Sequence, residues 1–234
     1  MMRGVILIFL LLLFCWQIVQ APWFFSLDKV EVQGNETMSA KQVEELAGVW
    51  RGEHLLRIDL GKTADRLLSS PQITSATLRR LWPNKLLISI TENIGFAVVP
   101  YHDSFVEIDR LGRVISIVHD FSRVNLPIIT GVSIVDAVLG RELEGSNIAA
   151  ARLVAVNMPS SVRPSISEIN VALSGDISLI TVNGVQIRLG NVLHSHIRLA
   201  LLPAVLYAYE ERGMSRSNIA YIDMTGEVPV YKGR

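Results

Sequence analysis

The chain of 234 residues contains one cysteine, Cys15, so it has no internal disulfide and no thiol chemistry downstream of that position. Stability then has to come from an ordinary buried core, a condition compatible with an oxidising exterior. Net charge is missing as well. Twenty-two Lys and Arg balance 22 Asp and Glu, so no global field draws the chain to nucleic acid or phosphate. There are no internal repeats and no low-complexity segment. G-x-S-x-G, H-E-x-x-H and a phosphate-cradling glycine loop are all absent. The five histidines, His54, His102, His119, His194 and His196, are scattered. His194 and His196 are two apart, so on a helix they diverge and make a poor metal pair. His102-Asp103 and His119-Asp120 sit beside turns and read as solvated. In DRLGR, Asp109 and Gly112 suit a hairpin turn, because a calcium loop needs several more oxygen ligands. No catalytic, cofactor-binding or metal-binding residue is assigned, and neither an enzyme nor a small-molecule substrate is expected.

Hydrophobic residues make up 50% of the chain, and part of that excess lies at the start. Gly4 to Ala21 carries no charged side chain. About eighteen residues at 1.5 Å each span some 27 Å, enough to cross a bilayer core. A cleaved signal peptide is the alternative. Against it, the run exceeds a usual apolar region, and Trp16, Trp23, Phe24 and Phe25 stand where a cleavage site wants small residues. The tryptophans suit an interfacial belt, and Arg3 with the α-amino group favours a cytoplasmic N-terminus. The expectation is an uncleaved anchor over residues 4–22 behind a cytoplasmic tail of residues 1–3.

Beyond the anchor, Leu27 to Gln33 alternates like a half-buried strand, with Leu27, Lys29, Glu31 and Gln33 opposite Asp28, Val30 and Val32, closed by Gly34-Asn35. Asn35-Glu36-Thr37 fits a glycosylation sequon, a match that chance often supplies. Ser39 with Gln42 forms a capping box, followed by Val43, Leu46 and Ala47 on one helical face and Gly48 as a stop. Leu55, Leu56 and Ile58 form a short apolar run. Asp59 or Gly61 caps a second helix carrying Ala64, Leu67 and Leu68, ended by Ser70-Pro71. Pro71 to Glu92 then reads as two strands joined at Trp82-Pro83-Asn84. In the second of these, Leu86, Ile88 and Ile90 share one face.

From Phe96 the pattern favours strands: Phe96–Val99, Phe105–Ile108 and Val114–Val118. Residues 126–131, LPIITG, read as an irregular crossing. Ile148–Met158 reads as a helix stopped by Pro159. Ile166–Leu173 and Ile177–Val182 are strands, and Asn183-Gly184 signals a type I′ hairpin into Val185–Leu189. The longest helix runs from Leu193 to Glu211, with Leu199, Leu202, Leu206 and Tyr209 along one side and Gly213 as cap. Pro203 within it predicts a kink or a break. Ile219–Met224 and Val228–Tyr231 close the chain as strands.

The anchor, then FSLDKVEVQGN, LLRIDL and SSPQITSATLRRLWPNKLLISITE, resembles the start of the FtsQ/DivIB family of bacterial cell division proteins. EIDRLGRV, LPIITG, GVQIRLG and the terminal AYIDMTGEVPVYKG continue the resemblance over nearly the whole chain. It implies an α+β protein with a single N-terminal transmembrane helix. A βααββ POTRA domain follows at residues 24–93, then a mixed or antiparallel β domain with two or three helices at residues 94–234. It further implies a non-enzymatic scaffold of the cell (inner) membrane at the division septum. Its partners outside the membrane would be FtsB/DivIC-like and FtsL-like subunits, with septal synthase components as a further candidate, and it would help to assemble or regulate septal peptidoglycan synthesis. The family's partner-binding strand maps to Thr225, Gly226, Glu227, Val228, Pro229, Val230 and Tyr231. An edge strand can accept an added strand, Pro229 is tolerated at an edge, and Tyr231 supplies an aromatic anchor. The bland reading of the same residues is a short closing strand protected by Pro229 and Glu227. Arg79 and Arg80 form a second partner-binding surface, or else a solvated pair at a strand end. The alternative function is a POTRA-containing translocation or envelope assembly factor. Such a protein would need a transmembrane β-barrel, for which the region after Phe96 is too short. A membrane-anchored hydrolase, the third reading, needs a catalytic cluster that the sequence does not supply.

Overall fold

The computed structural model describes residues 24–119, 125–211 (apart from the Glu210 side chain) and 219–233. Five isolated positions nearer the start, Ile6, Ile8, Leu10, Leu11 and Leu13, are also described, all helical and exposed. No helix among the described residues is long and apolar enough to cross a membrane. The expected tail at residues 1–3 and the rest of the expected anchor, with Cys15 and Trp16, lie outside the described residues, as do Trp23, Asp120 and Gly213. The chain divides into two compact units, Met1–Asn93 and Ile94–Arg234.

The first unit runs β1 (Lys29–Gln33), α1 (Ala40–Ala47), α2 (Leu60–Leu68), β2 (Ile73–Leu81) and β3 (Lys85–Glu92). Its sheet has the order β1-β3-β2, with β1 parallel and β2 antiparallel to β3. A capping box starts α1, in which the Ser39 side chain and Gln42 satisfy each other's backbone N–H. Gly48, at φ 63°, closes it in the left-handed region. Asp59 caps α2 by accepting from Gly61 and Lys62 N–H. Leu86, Ile88 and Ile90 fill the core from β3, facing Val43, Ala47 and Leu67 of the helices.

The core-facing residues differ from the expectation in three places. Leu46 and Leu68 are exposed, and Thr63 takes the inward position on α2, where its hydroxyl donates to Asp59 O at 2.8 Å. That local bond lets a polar side chain occupy an apolar face. Leu27 is buried despite sharing parity with Lys29. It precedes the ladder, and its N–H and C=O bond Glu53 O and Gly52 N–H, so strand alternation does not govern it.

The second unit holds nine strands in one mixed sheet, ordered β14-β13-β12-β11-β10-β7-β4-β5-β6. These are β4 (Ala97–Tyr101), β5 (Ser104–Ile108), β6 (Val114–Val118), β7 (Ile128–Thr130), β10 (Ile166–Val171), β11 (Asp176–Thr181), β12 (Gln186–Asn191), β13 (Ile219–Asp223) and β14 (Val230–Gly233). A separate pair, β8 (Ser133–Asp136) and β9 (Glu144–Ser146), leads into α3 (Ile148–Asn157), and α4 spans Val192–Glu211. Residues from α3 and α4 join the inward face of the sheet in one core that includes Val154, Leu199, Leu202, Ile169, Leu179 and Ile187.

Three readings of this unit are corrected. Residues 128–130 form a central strand, not an irregular crossing, and pair in parallel with both β10 and β4. Three residues after a proline are too few to show a period, yet Ile129 is fully buried. At Asn183-Gly184 only Gly184 has positive φ, 77°, so the turn is not type I′. Gly184 N–H bonds Thr181 O at 2.8 Å and Thr181 N–H bonds Val185 O at 2.9 Å, the pattern of a three-residue loop with a glycine bulge. Finally, of the kink or break expected at Pro203, the break is absent, and α4 continues through it. The buried Leu199 and Leu202 hold the turns around it by packing, the main source of helix stability in folded proteins.

Candidate partner-binding edge

The terminal residues fold as a turn and a strand. Thr225 to Pro229 make the connection after β13, and only Val230 and Tyr231 of the seven expected residues lie in β14. Pro229 therefore stands just before the strand, where its missing N–H costs no ladder bond. β14 pairs with β13 alone, through Asp223↔Val230, Ile222↔Tyr231 and Tyr221↔Lys232, and forms one edge of the sheet. All four of its residues are exposed. Val228 is the most open apolar side chain here, at 71%. Tyr231 rests edge-on against the nearly buried Tyr209 of α4, with ring centroids 5.4 Å apart.

The turn is positioned from three sides. Asp223 Oδ1 accepts from Thr225 N–H at 2.9 Å and from its hydroxyl at 2.6 Å. The Thr225 hydroxyl, foremost, and then its N–H hold the Asp223 carboxyl below its usual value. Burial opposes this, and the Arg188 and Arg198 charges assist it. Arg198 of α4 donates to Thr225 O at 3.0 Å and also to Leu189 O, tying helix, sheet and turn together. Met224 N–H bonds Arg188 O at 3.0 Å, and the Arg188 guanidinium lies 4.1 Å above the Tyr221 ring. Beside these groups a groove of about 470 Å³ runs along β10–β12, lined by Asn170, Ser178, Arg188, Arg198 and Thr225 among others.

Asp223, Arg198, Arg188 and Tyr209 were not among the expected site residues. Tyr221 and Asp223, two apart on β13, carried a usable signal, since period-two spacing puts both on one sheet face. Nothing in the local sequence marks Arg198 as the tie to residue 225.

Arg79 and Arg80 lie on β2, at an edge of the first unit's sheet, and diverge. Arg79 is exposed, whereas Arg80 donates to Leu55 O at 3.0 Å and Ile58 O at 2.6 Å. In the sequon, the Asn35 amide donates to Met38 O at 2.9 Å and Thr37 donates to Glu92. In DRLGR, Asp109 Oδ1 accepts from Leu111 and Arg113 N–H, closing a turn with Gly112 at φ 79°. His119 Nδ1 lies 2.9 Å from Ser104 Oγ, and His102 turns the β4–β5 hairpin at φ 50°. Among the described residues no group of three His, Cys, Asp or Glu side chains is placed to hold a metal.

Comparison with known proteins follows this division. The family described as the FtsQ-type POTRA domain matches residues 25–93, and the one described as the C-terminal region of cell division protein FtsQ/DivIB matches residues 97–225. The chain belongs to the FtsQ/DivIB family of cell division proteins. It is similar to the cell division protein FtsQ of Syntrophotalea carbinolica, 26% identical over 76% of this chain and 64% of that protein. The FtsQ of Geotalea daltonii is 25% identical over 89% of this chain and 76% of its own length. A solved structure, the major extracytoplasmic domain of the trans isomer of DivIB from Geobacillus stearothermophilus, covers 52% of this chain at 16% identity. Its TM-score of 0.36 is too low to bear on the fold. β14 lies past the last matched residue, 225.

Proposed function

We propose that the chain is a non-enzymatic scaffold of the division machinery that binds an extended segment of a partner by strand addition to β14. Its layout is a cytoplasmic tail at residues 1–3, a membrane anchor at 4–22, the POTRA domain at 24–93 and the β domain at 94–234. The last two stand outside the membrane at the division septum. The partners are FtsB/DivIC-like and FtsL-like subunits, through which the protein takes part in assembling or regulating septal peptidoglycan synthesis. The observation that carries the reading is the position of β14 as a sheet edge with every side chain exposed. Such an edge presents unpaired N–H and C=O groups, while Val228 and Tyr231 offer apolar contact beside them. Thr225 and Gly226 set the turn, and Glu227 and Pro229 flank the strand as guards against unspecific pairing. Arg79 on β2 is a secondary contact, with Arg80 holding that edge in shape.

Charge placed in the contact tests this. Val228→Asp with Tyr231→Asp should abolish affinity for the extracytoplasmic segment of the FtsB/DivIC-like partner while the fold persists. Unchanged affinity would sink the assignment.

A further inference from the structure

The first unit carries an aromatic cluster where the chain enters it. Phe24 and Phe25 meet edge to face at 5.0 Å, and Phe25 meets Trp82 in the same manner at 5.6 Å. Trp82 is at the tip of the β2–β3 hairpin and is 59% exposed, and Phe24 is 40% exposed. The backbone fixes this arrangement. Leu55 N–H bonds Phe25 O at 2.7 Å on one side, and Asp28 N–H bonds Asn84 O at 2.8 Å on the other. The hairpin tip and the residue 52–55 loop thus clamp the entering strand, and the aromatic rings stand together at that end of the unit. Leu56, 39% exposed, extends the apolar surface along the same loop.

Exposed aromatics of this size are costly in water and are enriched at membrane–water boundaries, where a flat ring meets both acyl chain and headgroup. Chain length sets where this cluster can be. Phe24 follows residue 22, the end of the anchor, by two residues, which span at most about 7 Å. The charges nearby are of both signs, with Arg51 and Arg57 exposed beside Asp28 and Glu53. The fit is therefore to the uncharged headgroup boundary and not to an anionic surface.

We infer that Phe24, Phe25 and Trp82 seat the first unit on the bilayer, with the hairpin tip immersed at the headgroup level. The inference rests on the anchor proposed for residues 4–22. It gives the POTRA unit a defined tilt at the membrane, because two points, the chain entry and the hairpin tip, are held instead of one.

The test uses the full chain in neutral phosphatidylcholine vesicles, with the four tryptophans reduced to one at a time by Trp→Phe substitution. A chain retaining only Trp82 should show blue-shifted emission that is lost to lipids brominated close to the headgroup and is resistant to aqueous iodide. A chain retaining only Trp16 should be quenched by brominated lipid and resistant to aqueous iodide. Trp16 quenched with Trp82 open to iodide and untouched by lipid overturns the inference and leaves the anchor standing. Neither tryptophan quenched by lipid removes the anchor and the inference together.

Discussion

Tyr231 in the edge strand β14 packs edge-on against Tyr209 of α4, with ring planes 73° apart. This strand, all four of whose residues are exposed, is therefore tied through one ring to a helix whose Leu199 and Leu202 are fully buried. An edge held in this way is ordered before a partner arrives, which lowers the ordering cost of adding a strand.

Tyr209→Leu keeps apolar volume at that position but removes the aromatic pair, which is worth about 0.5–1.5 kcal/mol. Amide exchange at Val230–Gly233 should rise several-fold, with exchange in β10 and β11 unchanged. Nuclear magnetic resonance or mass spectrometry of the exchanging chain reads this directly.

Arg198→Met should free the turn at Thr225, since Arg198 is the helix's tie to Thr225 O and Leu189 O. Hydrogen bonds from a charged donor contribute about 1.5–3 kcal/mol. Partner affinity, measured by titration calorimetry, should fall more than ten-fold. The first unit should melt as before, because both of these bonds lie within the second unit.

Glu92 gives the first unit a pH-dependent lock. Its carboxylate accepts from the N–H groups of Glu36, Thr37 and Met38 and from the Thr37 hydroxyl. Burial is the largest single influence and works against the charge, but these bonds together outweigh it and hold the carboxyl below its usual value. A lowered folded-state value means the contribution is complete above the unfolded carboxylate range and is lost as pH falls through the folded value. Glu92→Gln should lower stability by about 1.5–3 kcal/mol near neutral pH. The gap to the unmodified chain should close in acid, as followed by denaturant melts across pH.

Arg79 and Arg80 should separate in a stability assay. Arg80→Met removes two charge-assisted bonds to Leu55 and Ile58 carbonyls and should destabilise the first unit by roughly 2–3 kcal/mol. Arg79→Ala, at an exposed position, should stay within about 0.5 kcal/mol. Chemical denaturation of each variant decides it.

Much of this architecture is legible from local chemistry. The Ser39–Gln42 box, Asp59 and Gly48 mark helix ends because caps act through residues two or three apart. Leu86, Ile88 and Ile90 announce their shared face because strand period is local too. Residues 128–130 were not legible, since a central parallel strand of three residues owes its place to β4 and β10, far off in sequence. Thr63 shows the other limit, where a backbone bond to Asp59 lets a polar residue replace the expected Leu68. At the edge, Val230 and Tyr231 follow from position in the chain. Arg198 joins Thr225 only because α4 packs back against β12 and β11, a relationship no short window contains.

The most direct test of strand addition at β14 is amide exchange of the full chain with and without the extracytoplasmic segment of the FtsB/DivIC-like partner. The proposed mode predicts new protection at Val230–Gly233, with smaller changes across Thr225–Pro229. Protection confined to β2, with β14 exchanging as in the free chain, would contradict it.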